Sequence, residues 1–394
     1  MTNKNIAVLD LFAQGKRHVA FNVALSESIH SALNQKINFY CNQNYYKQNL
    51  DYFNEAHVNL VQSYNVDVRK PYRLSFFISI WRFILAFLKI NNQTKANNFF
   101  ILETTPACIW ATKIVNFFRF KKFNFYFLFH GELSTVKENK RVSPLLPQWL
   151  DYKYTISRIN PRYTKIIVLE QHIKNNLTKL LPHLSESIQC LPHPTFYQDK
   201  PDAPLNKTGD NLSFGYFGTA TLDKGFDRFL KLASQNHSQA KFKAITTDIK
   251  NIYKNDFSGK VKLAMGPLEK PLSYDDFYQT LTGCDFVILP FRYDYYQFAA
   301  SGVMIDCMNM LIPMITLKNE YTENLFNQHG QIGYLCDNLE EMDRLIKQLT
   351  TTSCTQTEIF KENLKQARLD RNEQACGRQL TQIFNQEISP AHVN

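Results

Sequence analysis

Short apolar runs alternate with amphipathic stretches along almost the whole chain. IAVLDLF (6–12), NFFILE (98–103), FNFYFLFH (123–130), KIIVLE (165–170) and IQCLPH (188–193) have the length and the β-branched or aromatic content of buried strands. Between them, VALSESIHSALNQ (23–35) and QHIKNNLTKLL (171–181) space their apolar residues as helices do. This alternation predicts parallel strands in a doubly wound sheet, so residues 1–197 read as one α/β domain. Residues 198–212, QDKPDAPLNKTGDNL, are rich in turn formers and poor in apolar side chains, the composition of an exposed linker.

A second alternation fills 213–370. LSFGYFG (212–218), AKFKAITTD (240–248), GKVKLAM (259–265), CDFVILPF (284–291) and IPMITL (312–317) read as strands. FDRFLKLASQ (226–235), YDDFYQTLTG (274–283) and SGVMIDCMNM (301–310) read as the helices between them. Residues 356–388 continue helically, and the tail 371–394 has the length to cross back onto the first domain. A chain of 394 residues exceeds what one core usually organises, which agrees with two domains.

Charge changes the picture in one place. Residues 68–131 hold ten Lys/Arg against the single acid Glu103, so this segment supplies +9 of the formal +10. Within it RKPYRLSFFISIWRFILAFLKI (69–90) is apolar on nearly every helical face but broken by Arg82 and Lys89. It is too short and too charged to span a bilayer. It fits either a buried helix flanked by solvated lysines or a helix lying on an anionic leaflet. Nucleic acid ranks lower as the partner, because the aromatics cluster with aliphatics and do not alternate with basic residues.

Eight cysteines without a C-x-x-C pair read as reduced cytosolic thiols. The start MTNKNIAVLDLF reads as a first strand and not as a secretory segment. No two of the thirteen glycines are separated by one residue, so the G-x-G-x-x-G dinucleotide fingerprint is absent. Gly-Lys occurs only at 15–16 and 259–260, neither in a Walker A setting. There is also no D-x-D pair to hold a metal on a diphosphate, so no metal and no cofactor are expected, and protein groups would have to neutralise any diphosphate.

Two segments carry candidate chemistry. In the first, a buried strand and an aromatic loop lead to Ser301, Gly302 and Val303, whose backbone N–H groups at a helix start suit a phosphate. Asp306, one turn on, could accept hydrogen bonds from a ribose diol, although Ser301 as a plain cap and Asp306 as a dipole partner explain the same residues. In the second, a strand ends at Gly218, and Lys224-Gly225 opens a helix within reach of a phosphate. A lysine beside a glycine at a helix start is, however, commonplace.

Together, strand–Gly–loop–Lys-Gly-Phe-Asp-x-x-Leu and, farther on, Leu-Pro…Ser-Gly-Val-x-x-Asp-x-Met-x-x-x-x-Pro-x-Ile resemble the C-terminal domain of GT-B glycosyltransferases of the retaining, family-4 type. KIIVLEQHIKNNL (165–177), LPHPTF (191–196) and FHGE (129–132) extend the likeness through most of the chain. The resemblance implies an α/β GT-B fold, two Rossmann-like domains facing across a cleft. It implies transfer of a sugar from a nucleotide-sugar donor to a glycan or lipid-linked glycan, with retention and without metal, in polysaccharide assembly. By the same resemblance Lys224 would hold donor phosphates, Ser301-Gly302-Val303 would cradle the diphosphate and Asp306 would meet the ribose.

Two positions depart from the family pattern. Thr219 stands where an Arg is usual and Phe298 where a Glu is usual; Arg292 and Tyr296 are the candidates to replace them. Gly15 fits the family's glycine turn, and His18, His130 and Glu132 are acceptor-side candidates at strand ends, with His130 also placed at the chemistry. The expected location is cytoplasmic, peripheral on the inner membrane face through 69–90 and 117–123. A silent GT-B-like scaffold or nucleotide sensor, and a sugar-nucleotide 2-epimerase, are the alternatives.

Overall fold

The computed structural model describes residues 5–15, 18–63, 73–137, 147, 150–195, 212–235, 240–246, 261–263, 274–352 and 356–386. The chain divides into two compact units. One comprises Met1–Phe196, Phe298–Ala300 and Arg371–Asn394; the other comprises Tyr197–Gln297 and Ser301–Asp370. The expected linker lies outside the described residues except for Leu212. So do residues 69–72 of the basic segment.

Among its described residues the first unit holds seven parallel strands: β1 (Ile6–Asp10), β2 (Ile37–Cys41), β3 (Val58–Gln62), β4 (Asn98–Ile101), β5 (Asn124–Phe129), β6 (Thr164–Leu169) and β7 (Ile188–Leu191). Their order is β3-β2-β1-β4-β5-β6-β7. Strands β1, β5 and β6 are buried almost end to end, because helices cover both faces of a parallel sheet. The sequence reading missed β2 and β3. INFYC follows a helix after a very short connection, and VNLVQ alternates buried and exposed because it is the sheet edge.

Ahead of the second unit, the described helices of this unit are α1 (Val19–Leu33), α2 (Gln43–Asn49), α3 (Arg73–Thr94), α4 (Pro106–Phe118), α5 (Ser134–Lys137), α6 (Tyr152–Ile156) and α7 (Gln171–Leu180). The two-residue period of the strands sends Ala7, Leu9, Phe99, Ile101, Phe125 and Phe127 into one core, with α3 and α4. Ile6, Val8, Phe100, Tyr126 and Leu128 enter the opposite core, with α1. Phe87 of α3 meets Phe99 at 5.1 Å and Phe125 at 5.2 Å between ring centroids, tilted contacts worth about 0.5–1.5 kcal/mol each beyond area burial.

Among its described residues the second unit has six parallel strands: β8 (Leu212–Phe217), β9 (Ala240–Ile245), β10 (Val261–Leu263), β11 (Phe286–Leu289), β12 (Met314–Leu317) and β13 (Gly333–Cys336). They are ordered β10-β9-β8-β11-β12-β13. Its helices are α8 (Phe226–Ser234), α9 (Tyr274–Thr282), α10 (Gly302–Asn309), α11 (Glu320–His329), α12 (Leu339–Thr351) and α13 (Thr357–Leu369). In both sheets the winding reverses beside the unit's first strand, between β1 and β4 and between β8 and β11. A crevice opens at the carboxyl ends of strands at such a reversal, and ligands bind there in open α/β sheets.

The stretch 356–388 is not one helix, as its pattern predicts. Helix α13 stops at Leu369, and α14 (Glu373–Asn385) starts anew under a cap in which Asn372 accepts from the Ala375 N–H at 2.8 Å. Helix α14 packs on α1 in the first unit. The approach is close at Gly377, where a β-carbon would lie 2.7 Å from Ser31 Oγ. Phe384 sets its ring edge-on to Phe100 and Tyr126.

Candidate functional site

In the second unit, β8 ends at Gly218, whose φ of +112° is a conformation that side chains resist. A β-carbon there would lie 3.6 Å from Val303 Cγ2 and 3.8 Å from Lys224 Nζ, so these three positions meet at one point. Lys224 reaches it because Gly225, at φ +74°, lets the start of α8 press against Pro290, where a β-carbon would lie 1.9 Å from the carbonyl oxygen. The Lys224 ammonium is half-buried, and no hydrogen-bond or ion-pair partner engages it among the described residues. Burial alone lowers its pKa, with no neighbouring anion to offset it.

The strand on the other side of the reversal supplies the rest. After β11, Arg292 donates its backbone N–H to Asp223 O at 3.1 Å and its Nε to Leu222 O at 3.0 Å, which fastens this loop to the one carrying Lys224. Tyr296 is buried against Phe291, Tyr295 and Tyr321, and its hydroxyl shares a hydrogen bond with Ser301. Ser301 also accepts from the Met304 N–H at 3.4 Å as the cap of α10, while its own N–H donates to Tyr321 Oη at 3.1 Å. Gly302 is exposed with open space where a side chain would stand. The Asp306 carboxyl, one turn on, is pushed up to about 7 by burial, and no described group hydrogen-bonds its side chain.

In the first unit a cavity of about 230 Å³ opens at the reversal between β1 and β4. It is lined by Asp10 at the end of β1, Leu102 and Glu103 beyond β4, His130, Gly131 and Glu132 beyond β5, and His18, Phe21 and Asn22 at the start of α1. Asp10 is committed to structure: it accepts from the Phe12 and Ala13 N–H groups and, at 2.9 Å, from Asn22 Nδ2. Glu132 turns back on its own loop and accepts from the His130 N–H at 2.7 Å and the Gly131 N–H at 2.9 Å. His18 enters α1 in the left-handed conformation, φ 57°, and its ring meets that of His130 edge-on at 4.6 Å. Burial, then the carboxylates of Glu132 and Glu103, raise the Tyr152 phenol.

Beneath the cavity, His193 sits edge-on to Phe21 at 4.9 Å and to His130 at 5.3 Å. Burial pushes its imidazole down to about 4, so it is neutral at physiological pH. The His193 N–H donates to Glu170, which also takes the Arg371 guanidinium. Glu170 is fully buried, yet its pKa is lowered, because the Arg371 charge and hydrogen bonds outweigh desolvation.

No protein-family profile matches the sequence, and no curated protein matches it significantly. Solved structures do. A sucrose-phosphate synthase from Thermosynechococcus elongatus superposes over 97% of this chain and 98% of its own, with a TM-score of 0.69 at 15% identity. The lipopolysaccharide outer core galactosyltransferase WaaB covers 96% and 99%, with a TM-score of 0.64 at 13% identity. Anabaena HepE, solved in complex with UDP and glucose, covers 96% and 98%, with a TM-score of 0.60 at 13% identity. The chain has the GT-B fold.

Within this GT-B chain, Gly218, Lys224 and Val303 come together, and Arg292, Tyr296, Ser301 and Gly302 belong to the adjoining loop and helix start. Thr219 follows Gly218, and its carbonyl accepts from Tyr216 Oη at 3.0 Å. His18, His130 and Glu132 share the first-unit cavity. Gly15 does not line it; its carbonyl accepts from Asn49 Nδ2 at 2.7 Å, and its φ of +61° turns the loop before α1. Phe298 is counted with the first unit, buried in its apolar core. Asp10, Glu103 and His193 were not singled out as site residues. The two acids end adjacent strands and were findable on that ground, whereas His193 lay within the LPHPTF segment with nothing local to mark its ring as a neighbour of the cavity.

Proposed function

We propose that this GT-B chain is a glycosyltransferase of the hexosyl-transferring class. It moves a sugar from a nucleotide-sugar donor to a glycan or lipid-linked glycan acceptor during polysaccharide assembly, with retention and without metal. The observation that carries the reading is the Lys224 ammonium: half-buried, unpaired among the described residues, and set beside Gly218 and Val303 at the strand reversal of the second unit. A cation kept in that state is stabilised by an arriving anion, and the N-terminus of α10 adds its own positive end. Anabaena HepE, of the same fold, was solved with UDP-glucose, which supports a nucleoside diphosphate as that anion.

In this reading Lys224, Arg292 and the backbone N–H groups of Gly302 and Val303 stabilise negative charge on the leaving diphosphate as the glycosidic C–O bond breaks; the Ser301 N–H, expected to join them, is taken by Tyr321 Oη. Asp306 takes the ribose diol. The acceptor hydroxyl belongs to the first-unit cavity, where His130 and His18 offer imidazoles to orient it, and its proton passes to a leaving-group oxygen. Glu132 serves by fixing the His130 turn. The protein works in the cytoplasm at the inner membrane face.

Calorimetric titration of UDP, GDP, CMP and ADP, without added metal, into wild type and Lys224→Ala tests this. Micromolar binding of one nucleotide, weakened at least tenfold by the substitution, is the expected result. The absence of binding by all four would overturn the donor reading. A nucleotide-binding scaffold without turnover is the second reading, favoured by Phe298, which fills an apolar core where the family usually carries an acid. Binding with no transfer from the matching nucleotide-sugar would select it.

A further inference from the structure

The first-unit cavity is underpinned by residues that the transfer chemistry does not use. His130, Glu170 and His193 follow the carboxyl ends of three neighbouring strands, β5, β6 and β7. The chain's return sets two of them in place. The Arg371 guanidinium grips the Glu170 carboxylate at 2.7 and 3.2 Å, and that carboxylate accepts the His193 backbone N–H at 3.2 Å. On either side of His193 the same returning segment ties down the backbone: Cys376 donates its Sγ–H to Pro192 O at 3.8 Å, and the Thr195 N–H donates to Arg371 O at 3.0 Å. All of these residues belong to the first unit.

A backbone fastened at three successive points fixes the His193 ring as well. Its Nδ1 lies 2.9 Å from the Pro194 carbonyl, an acceptor, so the proton sits on that nitrogen. The ring then stands edge-on to Phe21 at 4.9 Å and to His130 at 5.3 Å, and Phe21 closes the group by meeting His130 at 4.3 Å. Edge-to-face contacts depend on orientation, so three rings in mutual contact leave each one little room to turn. Burial keeps the His193 imidazole neutral, so no positive charge is set against His18 and His130 from below.

We propose that His193, seated by Glu170 and Arg371, is the positioning residue of the acceptor site: it locks the rings of Phe21 and His130 in the orientation that meets the acceptor hydroxyl. His193 is not among the residues lining the cavity, whereas Phe21 and His130 are, so it acts through them. A side chain that orients a reacting hydroxyl is effective only while its own rotamer is held by the residues behind it. Glu170 and Arg371 stand one step farther back and hold the backbone from which the His193 ring projects. The inference rests on the sugar-transfer reading for what His130 does, but not for how His130 is held.

Two readouts on the full chain test it. The first needs no donor or acceptor: carbon-13 at Cε1 gives ring signals for the 10 histidines, with His130 assigned through His130→Gln. His193→Ala is expected to shift and broaden the His130 signal while leaving unchanged those of His30, in the last turn of α1, and of His57, stacked on it at 4.0 Å. His193→Phe, which restores a ring, is expected to bring the His130 signal back toward wild type. Glu170→Leu/Arg371→Met, which removes the anchor but leaves no buried charge unpaired, is the second variant and is expected to shift the His130 signal too. The second readout is transfer from UDP-glucose to a panel of octyl glycosides, where His193→Ala is expected to raise the KM for the glycoside about tenfold while UDP affinity stays within about twofold of wild type. An unmoved His130 signal in either variant, an equal shift of His30 and His57, or a glycoside KM unchanged in His193→Ala would each overturn the proposal. Wild type that transfers nothing while the His130 signal responds as expected would count against the sugar-transfer reading and uphold the positioning of His130.

Discussion

Arg371 sets both ends of its guanidinium on the carboxylate of Glu170, at 2.7 and 3.2 Å, across 201 positions of sequence. The pair is 1 and 2% exposed, and Glu170 adopts φ 107° to present its carboxylate. The Arg371 carbonyl accepts from the backbone N–H and the hydroxyl of Thr195, so the segment leaving the first unit and the segment returning to it are joined directly. Charge, strain and hydrogen bonds are all concentrated at this junction.

Removing one partner strands the other's charge in the interior. Glu170→Gln should destabilise the protein by about 3–5 kcal/mol, whereas Glu170→Leu/Arg371→Met should cost much less. Urea midpoints for the two variants and wild type read the difference. Similar costs for single and double variants would mean that the charges matter less than the packing.

His193 predicts an acid limb. Its folded pKa of about 4 lies below the unfolded value of 6.5, so the unfolded chain takes up the proton first. The contribution is fully present above pH 6.5 and is lost as pH falls to 4, up to about 3 kcal/mol. Glu170, lowered by Arg371, adds to the loss at still lower pH. Thermal melts from pH 7 to 4 should show a shallower decline in His193→Phe than in wild type.

Lys224 trades stability for an anion site. Its lowered pKa means that folding disfavours the charged form, so Lys224→Met should raise the melting temperature by a few degrees while abolishing nucleotide binding. Differential scanning fluorimetry with and without nucleotide separates the two effects. A lower melting temperature in the variant would show that the ammonium has a stabilising partner.

Asp306 has the opposite pH sign. Its folded pKa, about 7, is above the unfolded 3.8, so its contribution is full below about pH 4 and lost as pH rises to 7. Asp306→Asn should match wild type at pH 4 and exceed it in stability at pH 8. Equal stability at pH 8 would contradict the burial of an uncompensated carboxylate.

The alternation of apolar runs and amphipathic stretches was enough to read two doubly wound sheets, because strands covered on both faces leave an unbroken apolar signature, as in IIVL of β6. Edge strands such as β3, with Asn59 exposed, do not. The site at Lys224 was legible as far as residue type and spacing go; the αL turn at Gly225 that delivers it is what a Lys-Gly pair at a helix start encodes. Tyr296 reads as a ligand in sequence, but its hydroxyl is engaged by Ser301, a pairing no local pattern announces. The Glu170–Arg371 pair was invisible for the same reason: both residues look ordinary until the chain returns.

Helix α14 gives that return a consequence in time. The first unit draws Leu380, Ile383 and Phe384 into the same core as β1 and α1, so its hydrophobic interior joins segments that lie on either side of the second unit in sequence. Contacts so far apart in the chain must overcome a large loop-closure cost, so this interior is expected to close after the second unit, whose own residues are contiguous but for a few.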